Sequence, residues 1–340
     1  MRSEVTVFIV LVLWTIVTII LAHKGLSSVA PENTVSAFES ALAAGADGFE
    51  TDIQMTRDCV PVCSHGYTAE AACGGKRPIH ELSLEELNGH NPKGVGGRIA
   101  TLEECLHATG TQGIANLELK TPYIRRREYV EGIASRLKDF GIGRRAIVTS
   151  FDHSLVRDIQ HMNAGCGTGV LMLPVVDDFE EIIDIIGECY PRDKPMDALT
   201  MDDVSPLEDS TIIQDVLGID GASPGEVYLG LGRTLGRIYP GEPFASISKR
   251  IMSQADVPSY VDGLDFKPGY VFCHYLSCFT EPDTISSIHD RGMKAFAWTV
   301  DNPRYAERLR EMGVDGFISN EPAVLIKAIS CNQNRTQCSS

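Results

Sequence analysis

Thr18-Ile19-Ile20-Leu21-Ala22-His23-Lys24, then Pro31-Glu32-Asn33-Thr34, then Gly48-Phe49-Glu50-Thr51-Asp52-Ile53: these pieces, close together near the start of the chain, decide the fold. The first and last are short and rich in β-branched or aromatic residues, which suits strands. Between them Val35, Phe38, Ala41 and Leu42 recur on one face of a helix that Pro31–Thr34 opens and Gly45 ends. Strand, amphipathic helix, strand within so few residues is a βα unit of a parallel sheet.

The same alternation continues outward. Further strands are expected at Val60–Ser64, Asn116–Leu119, Ala146–Ser150, Gly169–Leu173, Tyr270–Cys273, Ala295–Val300 and Gly316–Ile318. Helices are expected at Thr101–Thr109, Tyr129–Phe140, Ser154–Met162, Phe179–Ile186, Pro282–Arg291 and Pro303–Met312. About eight strands, most followed by a helix, predict an α/β fold of the (β/α)8 TIM-barrel type rather than two domains. The barrel is expected over residues 18–330. A stretch rich in Gly, Pro and Asp, about 174–268, interrupts the rhythm and reads as a long insertion, a candidate lid. Its Gly230-Leu231-Gly232-Arg233 neither follows a strand nor opens a helix, so it does not read as a dinucleotide site.

The 340 residues carry 30 Lys and Arg against 46 Asp and Glu, a formal charge of −16. This excludes the basic footprint that binding to nucleic acid needs. With 43% hydrophobic residues the chain can bury a large core. The ten cysteines contain no C-x2-C metal pair and read as buried thiols. The polar tail 331–340 holds Cys331 and Cys338 on either side of an Asn334-Arg335-Thr336 glycosylation sequon. At the other end Val5–Ala22 is free of charge. If Thr18–Ala22 is a strand, Val5–Val17 is too short for an ordinary span. It suits a signal-type or interfacial segment, with membrane association through residues 5–17 and a membrane or secretory location.

Polar residues gather where the expected strands end: His23 and Lys24 after the first, Glu50 and Asp52 on the second, His65 after the third, and Glu118 and Lys120 on the next. In a barrel those ends share one face. Glu50 and Asp52, two apart on a strand, point the same way. With Glu118 they form an oxygen-only set that calls for one divalent cation, Mg2+ or Ca2+. Two flanking histidines suit acid–base work, and two lysines suit a phosphate.

These residues sit in a pattern that resembles the glycerophosphodiester phosphodiesterase family, phospholipase-C-like TIM barrels. The resemblance rests on Ala22-His23-Lys24-Gly25, Pro31-Glu32-Asn33-Thr34 with Ala37-Phe38, Gly45 through Ile53, Ser64-His65-Gly66, and Glu118-Leu119-Lys120. It continues in Ala297-Trp298-Thr299-Val300-Asp301 and Gly313 through Pro322, covering roughly 18–325 apart from the insertion. It implies that His23 and His65 are the acid–base pair and that Glu50, Asp52 and Glu118 hold the metal. It also implies that Lys24, Lys120 and Trp298 bind substrate. The implied reaction hydrolyses a glycerophosphodiester to glycerol 3-phosphate and an alcohol, or a lysophospholipid to lysophosphatidic acid. The sequence departs from the family at Lys24, usually Arg, and Gly66, usually Asp. These departures motivate the alternative of an impaired barrel that binds phosphodiesters or a membrane partner. A related two-histidine lyase barrel fits the Pro31–Thr34 segment and the tryptophan strand less well.

Overall fold

The computed structural model describes residues 18–70, 76–89, 98–122, 124–172, 254 and 256–337. Its strands are β1 (Ile19–Ala22), β2 (Gly48–Met55), β3 (Pro61–Cys63), β4 (Thr68–Glu70), β5 (Lys76–Pro78), β6 (Ile114–Leu119), β7 (Ala146–Ser150), β8 (Gly167–Leu171), β9 (Tyr270–His274), β10 (Lys294–Trp298) and β11 (Gly316–Ser319). Eight of them, β1, β2 and β6 to β11, pair in parallel. The ring closes through β1, which takes β2 on one side and β11 on the other. The (β/α)8 barrel expected from the sequence is therefore the fold.

The strand expected at Val60–Ser64 stands outside the parallel set: β3 runs antiparallel to the far end of β2, pairing Ile53 with Cys63 and Met55 with Pro61. β2 is eight residues long and outruns its barrel partners, so its last residues are free to take a hairpin partner. Composition cannot distinguish that partner from a barrel strand. The chain between β3 and β6 adds the small hairpin β4–β5 and a five-residue helix, Leu84–Asn88. Neither is long enough to show a period.

Helices cover the outside. Val35–Ala43 is capped by Thr34, whose hydroxyl accepts from the Ala37 amide. Leu102–Ala108 starts with a capping box in which Thr101 and Glu104 satisfy each other's backbone N–H. Pro303–Glu311 starts with Asn302 as cap and proline in its first turn. Each cap is worth about 1 kcal/mol and sets where the helix begins. Arg126–Phe140, His153–His161 and Thr284–Asp290 fall close to the expected ranges. Also absent from the sequence expectations are the short helices Val257–Asp262, within the expected insertion, and Tyr275–Thr280, directly after β9, as well as the last helix, Pro322–Gln337. The remainder of the insertion, with the helix expected at Phe179–Ile186, lies outside the described residues, as do residues 1–17. The last helix, Pro322–Gln337, takes in 331–337 of the tail.

The barrel interior is filled by Leu21, Ile147, Leu171, Phe272, Phe296 and Ile318. Phe272 and Phe296 lie with ring centroids 4.9 Å apart. Room for these rings comes from glycines on neighbouring strands: a Cβ on Gly316 would stand 2.3 Å from the Phe296 ring, and one on Gly169 would stand 2.8 Å from that of Phe272. Outside the ring, alternate residues such as Phe49 meet the helices, and Phe49 stacks on Phe38 at 4.2 Å. Where the strands terminate, polar side chains join Leu171 and Ile318 of this apolar plug. Cys59, Cys63, Cys105, Cys166, Cys273 and Cys278 are free thiols. Among the described residues no helix is long and apolar enough to cross a membrane.

Candidate active site

The strand ends deliver the site. β1 stops at Ala22, so His23 is the first residue beyond it, held down by its N–H donating to Ser319 O at 2.8 Å. On β2 the alternation turns Glu50 and Asp52 inward, and the β2–β6 register sets Asp52 directly beside Glu118. Ligand oxygens of Glu50, Asp52 and Glu118 lie within 4.8 Å of one another. They share a cavity of about 190 Å³ with His23, His65, Lys120 and Trp298. Phe151 and Asn116 also line it.

Lys120 neutralises the carboxylates from within. Its ammonium lies 2.8 Å from Asp52 Oδ1 and also bonds Glu118. Burial would raise Asp52, but Lys120 beside it, with help from His65 and Lys24, holds it well below the usual carboxylate range. Burial, reinforced by Asp52 and Glu118, pushes Glu50 well above that range. Glu118 rises more modestly, because Lys120 offsets its loss of water. Lys120 itself is raised well above the ordinary lysine value, since Asp52 and Glu118 outweigh its burial.

Glu50 Oε1 is buried with no hydrogen-bond partner. An orphaned carboxylate oxygen facing two more carboxylates, with oxygen as the only donor type, fits a hard divalent cation.

The histidines enter from different sides. His23 is partly buried, its Nε2 3.8 Å from Glu50 Oε2. Burial and the nearby Lys24 lower its pKa. His65 follows β3 and is the more exposed of the two, yet loss of hydration outweighs the pull of Asp52 and lowers it to about 4. The loop carrying His65 is gripped by Gln54, whose amide donates to Ser64 O at 2.8 Å and Gly66 O at 2.7 Å. Trp298 is fixed by its indole N–H to Phe272 O at 3.0 Å and stands edge-on to Phe151.

Lys24 is the expected site residue that the structure sets apart. Its backbone N–H donates to Glu50 Oε2 at 3.0 Å, while its ammonium lies 3.4 Å from Glu32. It is not among the residues lining the cavity.

Sequence reasoning missed Asn33, Gln54, Asn320 and Asp301 as parts of the site. Asn33, with φ of 59°, donates to Asp52 Oδ2 at 3.1 Å and accepts from Thr51 Oγ1 at 2.6 Å. A left-handed asparagine directly before a helix cap is a turn signal, and it could have been followed to the strand it faces.

Comparison with known proteins bears directly on this arrangement. The model of the glycerophosphoryl diester phosphodiesterase family matches residues 23–177 and 252–324. The chain belongs to that family. As a member it is an enzyme, a phosphoric diester hydrolase of the glycerophosphodiester phosphodiesterase type. A glycerophosphodiester phosphodiesterase of Caldanaerobacter subterraneus is 24% identical over 319 residues, which is 92% of this chain and 98% of that protein. Among solved structures, a glycerophosphodiester phosphodiesterase from Parabacteroides distasonis superposes with a TM-score of 0.58 at 18% identity, covering 93% of this chain and 98% of that one. An Oleispira antarctica phosphodiesterase, solved in complex with the product sn-glycerol-3-phosphate, gives 0.57 at 17% identity, covering 92% and 96%. At these identities the two structures speak for the barrel, and the family match speaks for the class of enzyme.

Proposed function

We propose that this enzyme cleaves glycerophosphodiesters to glycerol 3-phosphate and an alcohol, with His23 and His65 as its acid–base pair. The observation that carries this reading is the shared cavity. Two histidines border the same space as three convergent carboxylates and a buried lysine. One neutral histidine takes the proton of the substrate's own glycerol hydroxyl as it attacks phosphorus. The other, protonated, gives its proton to the departing alcohol oxygen. The cyclic phosphodiester so formed is opened by water with the two roles exchanged, which restores both histidines. Glu50, Asp52 and Glu118 would hold a divalent cation, Mg2+ or Ca2+, that supplies positive charge for the phosphoryl oxygens when bound. Lys120, at the same floor, adds a fixed positive charge there. Trp298 forms one wall and excludes water from that side.

The test is turnover of glycerophosphocholine and lysophosphatidylcholine side by side, in chelator and with Mg2+ or Ca2+. We expect divalent-dependent release of choline that His23→Ala and His65→Ala each reduce by about 10²-fold or more. Lack of turnover with every metal in a folded protein would overturn the reading. The lysolipid arm settles whether the substrate carries an acyl chain. Membrane association through residues 5–17 is part of the same reading, motivated by their uncharged, apolar sequence. Fractionating the full chain against one starting at Thr15 checks it, and soluble behaviour of both would refute an anchor.

A further inference from the structure

Behind His23, on the side away from the carboxylates, stands a chain of hydrogen bonds. His23 Nδ1 is 2.7 Å from Asn320 Oδ1. Asn320 Nδ2 donates to Asp301 Oδ2 at 2.8 Å, and the Asn320 backbone N–H donates to Asp301 Oδ1 at 2.7 Å. Ser319 Oγ donates to the same Oδ1 at 3.0 Å and accepts from the Glu321 N–H at 3.0 Å.

The direction of the bonds follows from chemistry. An ionised carboxylate can only accept, so the side of the Asn320 amide that faces Asp301 is its NH2 group. The opposite side, facing His23, is then the carbonyl oxygen. An oxygen at hydrogen-bond distance from an imidazole nitrogen requires the proton to be on that nitrogen. Asp301 thus sets the orientation of Asn320, and Asn320 sets the proton on His23. The backbone reinforces the geometry. The β1–β11 register pairs Ala22 with Ser319, and His23 N–H binds Ser319 O, so ring and amide approach from adjacent strands at fixed height.

We propose that Asn320, oriented by Asp301, is a positioning residue that holds His23 with its proton on Nδ1 and its Nε2 toward the reacting phosphodiester. The inference rests on the reading of His23 as an acid–base residue and names the group that keeps it in register. When neutral, His23 offers a lone pair at Nε2. When protonated, it offers Nε2–H while the bond to Asn320 persists. Both halves of the reaction therefore use one ring orientation, and no ring flip intervenes between them. Without the acceptor, the tautomer with its proton on Nε2 becomes accessible, and that form cannot take a proton at the reacting face.

The experiment uses the full chain labelled with 15N-histidine, with His23→Gln assigning the His23 signals. Two-bond 15N–1H spectra at a pH where His23 is neutral should show the Nδ1-protonated pattern in the wild type. Asn320→Ala should shift it toward the Nε2-protonated pattern and lower kcat for glycerophosphocholine about 10²-fold, with KM nearly unchanged. Asp301→Ala, which removes the acceptor that orients the Asn320 amide, should move both the tautomer pattern and kcat in the same direction as Asn320→Ala. An Nε2-protonated pattern in the wild type overturns the proposal, and so does an unchanged kcat in a folded Asn320→Ala protein. Full turnover in His23→Gln overturns the acid–base reading itself. The tautomer spectra then still report separately on whether Asn320 sets the proton.

Discussion

Replacing Lys120 with Met probes the electrostatic balance of the site most directly. The lysine side chain is 13% exposed and the Asp52 side chain 2%, and their charged atoms are 2.8 Å apart. At an effective dielectric of ~20 their attraction is about 6 kcal/mol in gross terms. Desolvation of both groups consumes part of this, so the expected loss on deleting one partner is about 3 kcal/mol, the usual scale for orphaning a buried charge. The pH dependence has a defined sign. Asp52 is held below its ordinary value of 3.8, so its contribution is present above that value and fades as pH falls. The gap between wild type and Lys120→Met should therefore be largest near pH 7 and shrink in acid. A divalent cation can replace the missing positive charge, and at 100 times its dissociation constant it returns about 2.7 kcal/mol. Urea unfolding followed by far-UV circular dichroism, in chelator and then in Mg2+ or Ca2+, measures all three effects. A loss below about 1 kcal/mol in chelator at pH 7, or a gap that does not shrink in acid, would refute the charge assignment.

Three further predictions follow from particular contacts. Gly316→Ala should cost about 2–3 kcal/mol in the same unfolding experiment, because its Cβ would meet Phe296 at 2.3 Å and the Ile19 carbonyl at 2.8 Å; a loss under about 0.5 kcal/mol would contradict the packing. Gly66→Asp meets nothing nearer than Thr68 O at 3.5 Å, so it should leave stability within about 0.5 kcal/mol. Combined with Lys24→Arg it should raise kcat, and an unchanged value would show that these two departures from the family do not limit turnover. His274 accepts the Leu276 N–H at Nδ1, and burial lowers its pKa to about 4 from an ordinary 6.5. The unfolded chain binds the extra proton between those values, so stability should fall as pH drops through that window. The His274 share is roughly 2 kcal/mol after allowing for partial exposure. His274→Gln should lose less between pH 7 and 4.5 than the wild type does, and an equal loss would exclude His274 as a cause.

The barrel and the carboxylate cluster were legible because both depend on short-range periodicity. Two acids two residues apart on an apolar run can only share a face, and a parallel neighbour brings Glu118 level with Asp52. The position of His65 after a strand was legible too, but not the direction of that strand. Antiparallel β3 has the same residue types as a barrel strand, and only the overlong β2 reveals why it pairs there. The supporting residues were hidden for another reason. Asn33 reaches Asp52 across 19 residues and Asn320 reaches His23 across 297, and each looks locally like an ordinary turn residue. Lys24 shows the converse: its place beside the histidine suggested a phosphate contact, whereas its ammonium found Glu32 eight residues on.

The closure of β1 against β11 also has a meaning in time. A chain made at about 5–20 residues per second brings Asn320 out roughly 15–60 s after His23. Through that interval β1 can pair with β2, and Glu50, Asp52, Glu118 and Lys120 can already meet. The histidine, however, lacks the strand that seats it. A nascent chain therefore assembles its charged floor long before its acid–base group is set, and a translation product that stops short of β11 leaves that group unseated. The site becomes competent only after β11 has been made.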